Sequence, residues 1–265
     1  IVQLLPIPRE EAITSLLAVS GFDEDEQLLM LTSGGYVKRT PLSAFANLRS
    51  NGLIAISLEE GDDLRWVRLA LSGDSVLIGS QHGMTIHFRL SDEELRPLGR
   101  SARGVRAMTL RSGDRLVSMD VLPAELADRV ASSEAGDADD SEDLTTGEGP
   151  WVLVASAGGL GKRVPVNQFR LQKRAGMGLR AIKFRRAGDA LVGLRVLGAG
   201  EELLLVSERG VIVRMQADVI PQQSRAATGV RLQRLDSGDR LAEVVLVPPA
   251  QEEAELAGPE GRQAS

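Results

Sequence analysis

The sequence predicts an all-β protein of the propeller type, built from repeated four-stranded units, and three observations support this fold class. Short apolar runs rich in Val, Ile and Leu recur between Gly, Asp and Ser residues, which is typical of strands. The runs repeat with a period of about 50 residues, as expected for the blades of a radial array. Glycines stand at the same places in every copy, where tight turns between strands require positive φ.

Each copy begins with an apolar run that ends in Ser or Thr and is followed by two residues and a glycine. These first glycines are Gly35, Gly83, Gly159 and Gly210. They are 48, 76 and 51 residues apart, and the long middle spacing contains an acidic insertion. Without the insertion and its connector, one period fits the chain, so we expect four complete units.

A second glycine in each copy opens another apolar strand, and a Gly-Asp pair then turns the chain into a further one. The second glycines are Gly52, Gly104, Gly178 and Gly229, and the Gly-Asp pairs begin at Gly61, Gly113, Gly188 and Gly238. The Asp side chain supplies an acceptor for exposed backbone N–H groups. Each copy is therefore predicted to form one blade of a radial array. A solenoid is the alternative arrangement of the same units.

The repeat divides the chain into units and connecting segments. The expected divisions are 1–27 for the end of a truncated blade and a connector, 28–74 and 75–122 for two blades, 123–149 for a connector and an acidic disordered insertion, 150–200 for a basic blade, 201–248 for a fourth blade, and 249–265 for an acidic disordered tail. Residues 1–5 and 13–19 are predicted as the last strands of the truncated blade. Because the chain opens with Ile1 instead of Met, we expect a fragment whose start lies upstream.

Composition excludes several functional classes. The chain has no cysteine, so a disulfide framework, a zinc ribbon and a thiol nucleophile are excluded, and two histidines cannot form a zinc site without carboxylates. No apolar run approaches the ~18 residues of a membrane span, so we expect a soluble, intracellular protein. Five Phe, two Trp and one Tyr are too few for a platform that stacks unpaired bases. We expect Trp66 and Trp151 to pack in the core and His82 to lie in a turn.

The net charge of −6 conceals a strong asymmetry along the chain. Residues 131–149 carry seven acids and no base, whereas residues 151–186 carry nine bases and no acid. Only four of the 31 bases are Lys, and the arginine side chain presents a rigid donor fork that matches phosphate oxygens. Because electrostatic attraction acts within a Debye length of ~8–10 Å, an acidic protein can bind a polyanion through a local basic surface.

The repeated motifs resemble those of the C-terminal domain of the A subunits of DNA gyrase and topoisomerase IV. The residues that carry the resemblance are 32–41, 52–56, 159–165 and 224–230, together with the opening residues 1–7. The resemblance extends over residues 1–248. The gyrase hallmark, a box of sequence Gln-Arg-Arg-Gly-Gly-Lys-Gly in the first blade, is missing with that blade. The equivalent loop at 172–178 keeps Gln172, Lys173 and Arg174 but has Met177 in place of Lys. Overall similarity favours gyrase, and topoisomerase IV remains the alternative.

The resemblance implies a β-pinwheel of about six blades that exchange strands, with duplex DNA wrapped around its basic rim. It implies a domain that supports ATP-dependent negative supercoiling within a holoenzyme of two A and two B subunits, in the bacterial cytoplasm at the nucleoid. ATP and Mg would be used elsewhere in that holoenzyme, so we expect no catalytic residue, cofactor or metal in this chain. Tyr36 lies in a repeat turn and is not expected to be the tyrosine that cleaves DNA.

The candidate DNA-binding residues are basic side chains that the repeat would place along one rim. In every copy the fourth residue after the first glycine is basic, and these residues are Arg39, His87, Arg163 and Arg214. The full candidate set is Lys38, Arg39, Arg100, Arg103, Lys162, Arg163, Arg170, Lys173, Arg174, Arg180, Lys183, Arg185, Arg186, Arg214 and Arg225. His87 is the weakest, because an imidazole is largely neutral near pH 7.

Two alternatives stay open at this point. The basic rim could face an acidic protein partner in place of DNA, or its charges could merely keep strand edges soluble. The acidic insertion 131–149 could be a solvated linker, or a tethered polyanion that competes with DNA for the neighbouring basic unit, and the acidic tail could act likewise.

Overall fold

The computed structural model describes residues 13–47, 52–127 and 149–247, and they form four antiparallel sheets. The first contains β1 (Glu26–Thr32), β2 (Tyr36–Pro41), β3 (Leu64–Leu71) and β6 (Val105–Arg106). The second contains β4 (Ser75–Ser80), β5 (Met84–Arg89), β7 (Leu116–Leu122) and β10 (Leu179–Arg180). The third contains β8 (Trp151–Ser156), β9 (Leu160–Pro165), β11 (Leu191–Leu197) and β14 (Val230–Arg231), and the fourth contains β12 (Glu202–Ser207), β13 (Ile212–Gln216) and β15 (Leu241–Val247).

Short helices follow the second strand of each hairpin. They are the 3-10 turn Leu42–Phe45, the helix α1 (Asp92–Leu95), and the 3-10 turns Val166–Gln168 and Ala217–Val219. None of the helices in the described residues has the length and hydrophobicity that a membrane span requires.

The sheets follow one another in a propeller-like arrangement around a common centre. The strand order is β3-β1-β2-β6 in the first sheet, β7-β4-β5-β10 in the second and β11-β8-β9-β14 in the third. At one end of these orders, β3 contacts β7, β7 contacts β11, and β11 contacts β15. These strands therefore lie at the centre, and the two-residue strands β6, β10 and β14 form the outer edges.

Each hydrophobic core lies between two successive sheets. In β8, Val152 and Val154 pack toward the second sheet with Leu77 and Leu194, whereas Leu153 packs toward the fourth sheet. Alternate side chains of one strand thus enter different cores, because successive side chains point to opposite faces of a sheet. This double burial explains the continuous apolar runs of the sequence.

A buried or half-buried aspartate fastens each hairpin turn to the strand that closes its sheet. In the third unit, Asp189 accepts hydrogen bonds from the Ser156 hydroxyl at 2.9 Å and from the Gly158 and Ala190 N–H groups at 2.8 Å each. Asp62, Asp114 and Asp239 make corresponding contacts in the other units. The Ser or Thr and the Gly-Asp pair of the repeat are therefore two halves of one clasp.

The second glycine of a unit carries the chain into the sheet of the preceding unit. Gly178 has φ +76°, and a Cβ added to it would lie 2.6 Å from the carbonyl oxygen of Thr85 in that sheet. The corresponding clearance is also 2.6 Å at Gly104 and at Gly229. Only glycine combines this backbone conformation with so close an approach. The strand exchange implied by the family resemblance is thus a feature of this fold.

The structure differs from the predicted strands in three places. The strands after the second glycines contain two residues and complete the preceding sheet instead of their own unit. Residues 53–56 and 13–19 form no strand, since the described residues offer them no neighbouring sheet edge. The predictions for residues 1–5, most of the acidic insertion and the tail lie outside the described residues.

We expect Gly178→Ala to destabilise the protein far more than Gly188→Ala. Gly188 also has positive φ, +82°, but a Cβ there would meet nothing within 4 Å, so its cost is the backbone strain of ~1 kcal/mol alone. Gly178→Ala adds a clash with backbone and should cost ~3 kcal/mol or more. Urea unfolding of both variants measures the difference. Equal losses would contradict the role assigned to this approach.

The clasp makes the stability of the protein depend on pH at Asp62. Burial raises the pKa of Asp62, but hydrogen bonds from Thr32, Gly34, Ser33 and the Asp63 N–H outweigh it and hold that pKa below its ordinary value. A lowered folded-state pKa contributes stability above the unfolded value of ~4, and this stability is lost as the pH falls through the folded value.

We therefore expect Asp62→Asn to lower the free energy of unfolding at pH 7, with a difference from the wild type that shrinks as the pH falls below ~4. Asp63→Asn is the matched control, because the Asp63 carboxylate forms an exposed ion pair with Arg65 at 3.5 Å. Denaturant unfolding across the acid range measures both. A difference that stays constant with pH would remove Asp62 as the cause.

Candidate nucleic-acid interface

Three arginines occupy the same place on the outer edge of three successive sheets. Arg106, Arg180 and Arg231 are each the second residue of the outermost two-residue strand, two positions after the second glycine. All three side chains are exposed. The repeat therefore sets one guanidinium on the periphery of each of these sheets.

Arginines from the next unit fix two of these edge positions. Arg174 Nη1 donates to the carbonyl oxygen of Arg106 at 2.7 Å, and Arg225 Nη1 donates to that of Arg180 at 2.9 Å. Arg174 also donates through Nε to the Glu94 carbonyl at 2.8 Å. These two half-buried arginines, predicted as DNA contacts, thus spend some of their donors on holding the edge strands in place.

The third unit supplies the most continuous basic surface. Arg170, Lys173, Arg180, Lys183, Arg185 and Arg186 are exposed. Within the described part of the chain, no carboxylate forms an ion pair with these six side chains. Their donors are therefore not neutralised by contact, and their DNA binding stays a prediction.

Lys38 and Lys162 are wholly buried, which corrects their predicted place on the rim. Lys162 Nζ donates to the carbonyl oxygens of Ser224, Arg225 and Ala227 at 2.6 Å each. Lys38 Nζ binds three carbonyls of the corresponding loop at 99–102 in the same way. Each ammonium holds the loop of the following unit, since three carbonyls match the three donors of an ammonium.

Burial also weakens the charge of these two lysines near neutral pH. Burial lowers the pKa of Lys38 to about 8. Burial and the nearby Arg225 guanidinium lower the pKa of Lys162 to about 7. In the second unit the equivalent residue is Ile86, which is fully buried and shows that this position belongs to the interior.

The prediction that the fourth residue after each first glycine lines the rim is wrong for the first three units. Arg39 is buried and bonds the Leu95 carbonyl, Gln27 and Asp92. His87 is buried and lies 2.6 Å from the Phe169 carbonyl. Each of these side chains ties its strand to the next unit. A buried donor needs an acceptor, and the neighbouring unit supplies it.

Arg163 follows the same pattern and Arg214 does not. Arg163 donates to the Ile220 carbonyl at 2.7 Å and to Asp218 Oδ1 at 2.9 Å, and its guanidinium lies 4.7 Å from the centre of the Trp151 ring. Arg214 is exposed and pairs with Glu202 of its own sheet. Burial lowers the pKa of His87, so its imidazole is neutral at pH 7.

The remaining candidates lie near the first two sheets. Arg103 is exposed, pairs with Glu59, and lies 4.2 Å above the ring of Tyr36. Arg100 is half-exposed in the loop that Lys38 holds. Trp66 and Trp151 lie in strands and are partly buried against the cores, and His82 is exposed in a hairpin turn.

Sequence reasoning misses Arg106 and Arg231. The signal is present, because the second residue after the second glycine is Arg in three units and Ile54 in the first. The spacing alone assigns those strands to their own unit, which hides the pattern. Their place at an outer edge becomes visible only once the exchange between sheets is known.

Comparison with known proteins agrees with this architecture. A family model described as the DNA gyrase C-terminal domain, a beta-propeller, matches residues 26–70, 74–123, 150–197 and 201–248. The chain belongs to the DNA gyrase C-terminal domain family. The DNA gyrase A protein of Synechocystis sp. is 56% identical over 261 residues, which is 96% of this chain and 30% of the relative. The chloroplastic/mitochondrial DNA gyrase A protein of Arabidopsis thaliana is 39% identical over 263 residues, 96% of this chain and 27% of the relative.

Solved structures share the fold of this gyrase-type domain. The C-terminal domain of DNA topoisomerase IV superimposes with a TM-score of 0.76 at 22% identity, covering 93% of this chain and 69% of that chain. The DNA gyrase A C-terminal domain gives 0.73 at 24% identity, covering 91% and 72%. The chain spans less than a third of the length of the gyrase A relatives, which are components of a type II topoisomerase. In the described residues, no group of three His, Asp or Glu side chains could hold a metal ion.

We expect Lys162→Met to destabilise the domain, because the change leaves three carbonyls of the 224–227 loop without their donor. The expected loss in the free energy of unfolding is ~1–3 kcal/mol. Lys173→Met is the matched control at an exposed position and should change stability by less than ~0.5 kcal/mol. Denaturant unfolding measures both, and amide exchange in the loop should rise only in Lys162→Met. An unchanged loop would contradict the assigned contact.

Proposed function

We propose that this domain binds duplex DNA through its outer rim and wraps it, independently of sequence. The observation that carries the proposal is the repetition of Arg106, Arg180 and Arg231 at one register on successive outer edges. Arginine forks that recur around a convex edge suit a polyanion that follows the same curve. The exposed bases of the third unit extend this track.

The rim suits the backbone of a duplex better than its bases. Phosphate contacts fix position without reading sequence, and they come mainly from Arg and Lys side chains. Bending a duplex of 20–30 base pairs by 40–90° costs ~1–6 kcal/mol, so a curved path needs several such contacts in succession. A propeller edge with one arginine in each sheet supplies them at regular intervals.

Membership of the gyrase family extends the proposal to the whole protein. We infer that the wrap presents DNA to a type II topoisomerase formed with B subunits and with the rest of the A subunit, in the bacterial cytoplasm. ATP-dependent negative supercoiling would then use the wrap to give strand passage a fixed handedness. ATP and Mg would act elsewhere in that assembly, as the sequence resemblance implies. Gyrase is favoured over topoisomerase IV by the identity to gyrase A relatives.

Mobility shift with long and short duplexes tests the wrapping function. We expect tighter binding to a duplex long enough to follow the rim, and a change in the linking number of a relaxed circular DNA that is closed in the presence of the protein. If ~6–10 phosphates are neutralised, the affinity should fall ~10³–10⁵-fold between 50 and 200 mM salt. Equal affinity for both lengths with no change in linking number would contradict wrapping and favour a protein-binding propeller.

Arg106→Gln with Arg180→Gln tests the residues that carry the proposal. The double variant should reduce the slope of log affinity against log salt by ~2, because two phosphate contacts are lost. Arg39→Gln tests the buried position, and it should lower the free energy of unfolding while leaving that slope unchanged. A slope lowered by Arg39→Gln and not by the double variant would overturn the assignment of the rim.

A further inference from the structure

A cleft of about 610 Å³ lies between the third and fourth units, where their turns meet. One wall comes from the β8–β9 turn and the segment 185–189, and the other comes from residues 231–240. Its volume is within the ~300–1,000 Å³ of sites that bind small molecules, which is enough for a segment of sugar and phosphate. Because Arg231 lies on the outermost strand and also lines the cleft, the cleft opens at the outer rim.

The cleft is lined by five arginines from both units. They are Arg185, Arg186, Arg231, Arg234 and Arg240, and each side chain is exposed to solvent. Guanidinium groups that converge on one space repel each other unless an anion lies between them. In the described part of the chain, no ion pair joins any of the five to a carboxylate. The arrangement therefore suits an external anion with several acceptor oxygens.

Three aspartates also line the cleft, and two of them are occupied by the fold. Asp189 accepts from Ser156, Gly158 and Ala190 within the clasp. Asp239 accepts from the Arg209 and Arg240 N–H groups at 3.2 and 2.8 Å. Their oxygens face backbone donors, so the arginine forks keep free donors toward the cleft.

The first unit has opposite charge at the corresponding turn. The residues before Gly61 include Glu59 and Glu60, whereas those before Gly188 include Arg185 and Arg186. Glu59 forms an ion pair with Arg103 of the second unit, so the equivalent junction is neutralised within the protein. The accumulation of arginine is thus specific to the third and fourth units and does not follow from the repeat alone.

We propose that this cleft is an anchoring site for the DNA backbone, in which phosphodiester groups lie between the arginines of the third and fourth units. The proposal rests on the wrapping function and names where along the rim the duplex is held most tightly. Two walls from different units contact one strand, so binding also ties these units together. The first junction, with Glu59 and Glu60, repels phosphate and lies where the duplex leaves the tight track.

The test compares two double variants with the same change of charge. Arg231→Gln with Arg234→Gln removes one wall of the cleft, and Arg65→Gln with Arg96→Gln removes two exposed arginines outside it. Thermal unfolding first checks that both variants fold as the wild type does. Affinity for a long linear duplex is then measured across a range of salt concentrations, with hydroxyl-radical footprinting of the bound complexes.

The cleft variant should bind ~10–100-fold more weakly near 100 mM salt, with the slope against log salt reduced by ~2, and should lose protection over part of the footprint. The control variant should keep the wild-type slope and footprint. Equal losses in both variants would overturn the cleft and leave only a diffuse field. A cleft variant that binds as the wild type does would overturn the cleft while the wrapping function stands. Absence of duplex binding by the wild type would instead overturn the proposed function.

Discussion

The architecture depends on the close approach of a glycine to the backbone of the preceding sheet. At Gly104, Gly178 and Gly229 an added Cβ would lie 2.6 Å from a carbonyl oxygen, so no larger residue fits without moving the sheet. The approach lets two residues of one unit complete the sheet of another. The N–H group that follows these strands reaches the first glycine of the earlier unit, as Ala181 does to the Gly83 carbonyl at 2.8 Å. Neighbouring sheets are therefore joined by backbone hydrogen bonds as well as by their shared cores.

This exchange decides which basic side chains face solvent. A cation near the middle of a sheet, such as Lys162 or Arg163, is covered by the following unit and bonds its carbonyls. A cation on the exchanged strand, such as Arg180, has no further strand outside it and stays exposed. The same residue type thus stabilises the junction between units at one position and supplies the field of the rim at another. Exposed charge is separated from structural charge by strand position and not by residue type.

The sequence was sufficient to predict the fold class, the strand exchange through the family resemblance, and the glycine turns, because these depend on spacing that repeats. All eight turn glycines assigned to the hairpins and Gly-Asp pairs have φ between 75° and 89°. Burial of individual cations was not predictable, because Lys38 and Lys173 differ in what the next unit lays over them and not in local sequence. Arg106 and Arg231 were missed for the related reason that their strands belong to a sheet built from another part of the chain. The cleft joins residues about 50 positions apart and has no local motif.

The direction of the exchange has a consequence for biosynthesis. A sheet receives its outer strand from the unit that comes later in the chain, as β5 receives β10 from beyond the insertion. On a ribosome, the hairpin of one unit emerges well before the segment that must dock along its side. Each nascent sheet therefore waits with an open flank until roughly one more repeat has been translated, and the second waits longest, since the acidic insertion delays its partner.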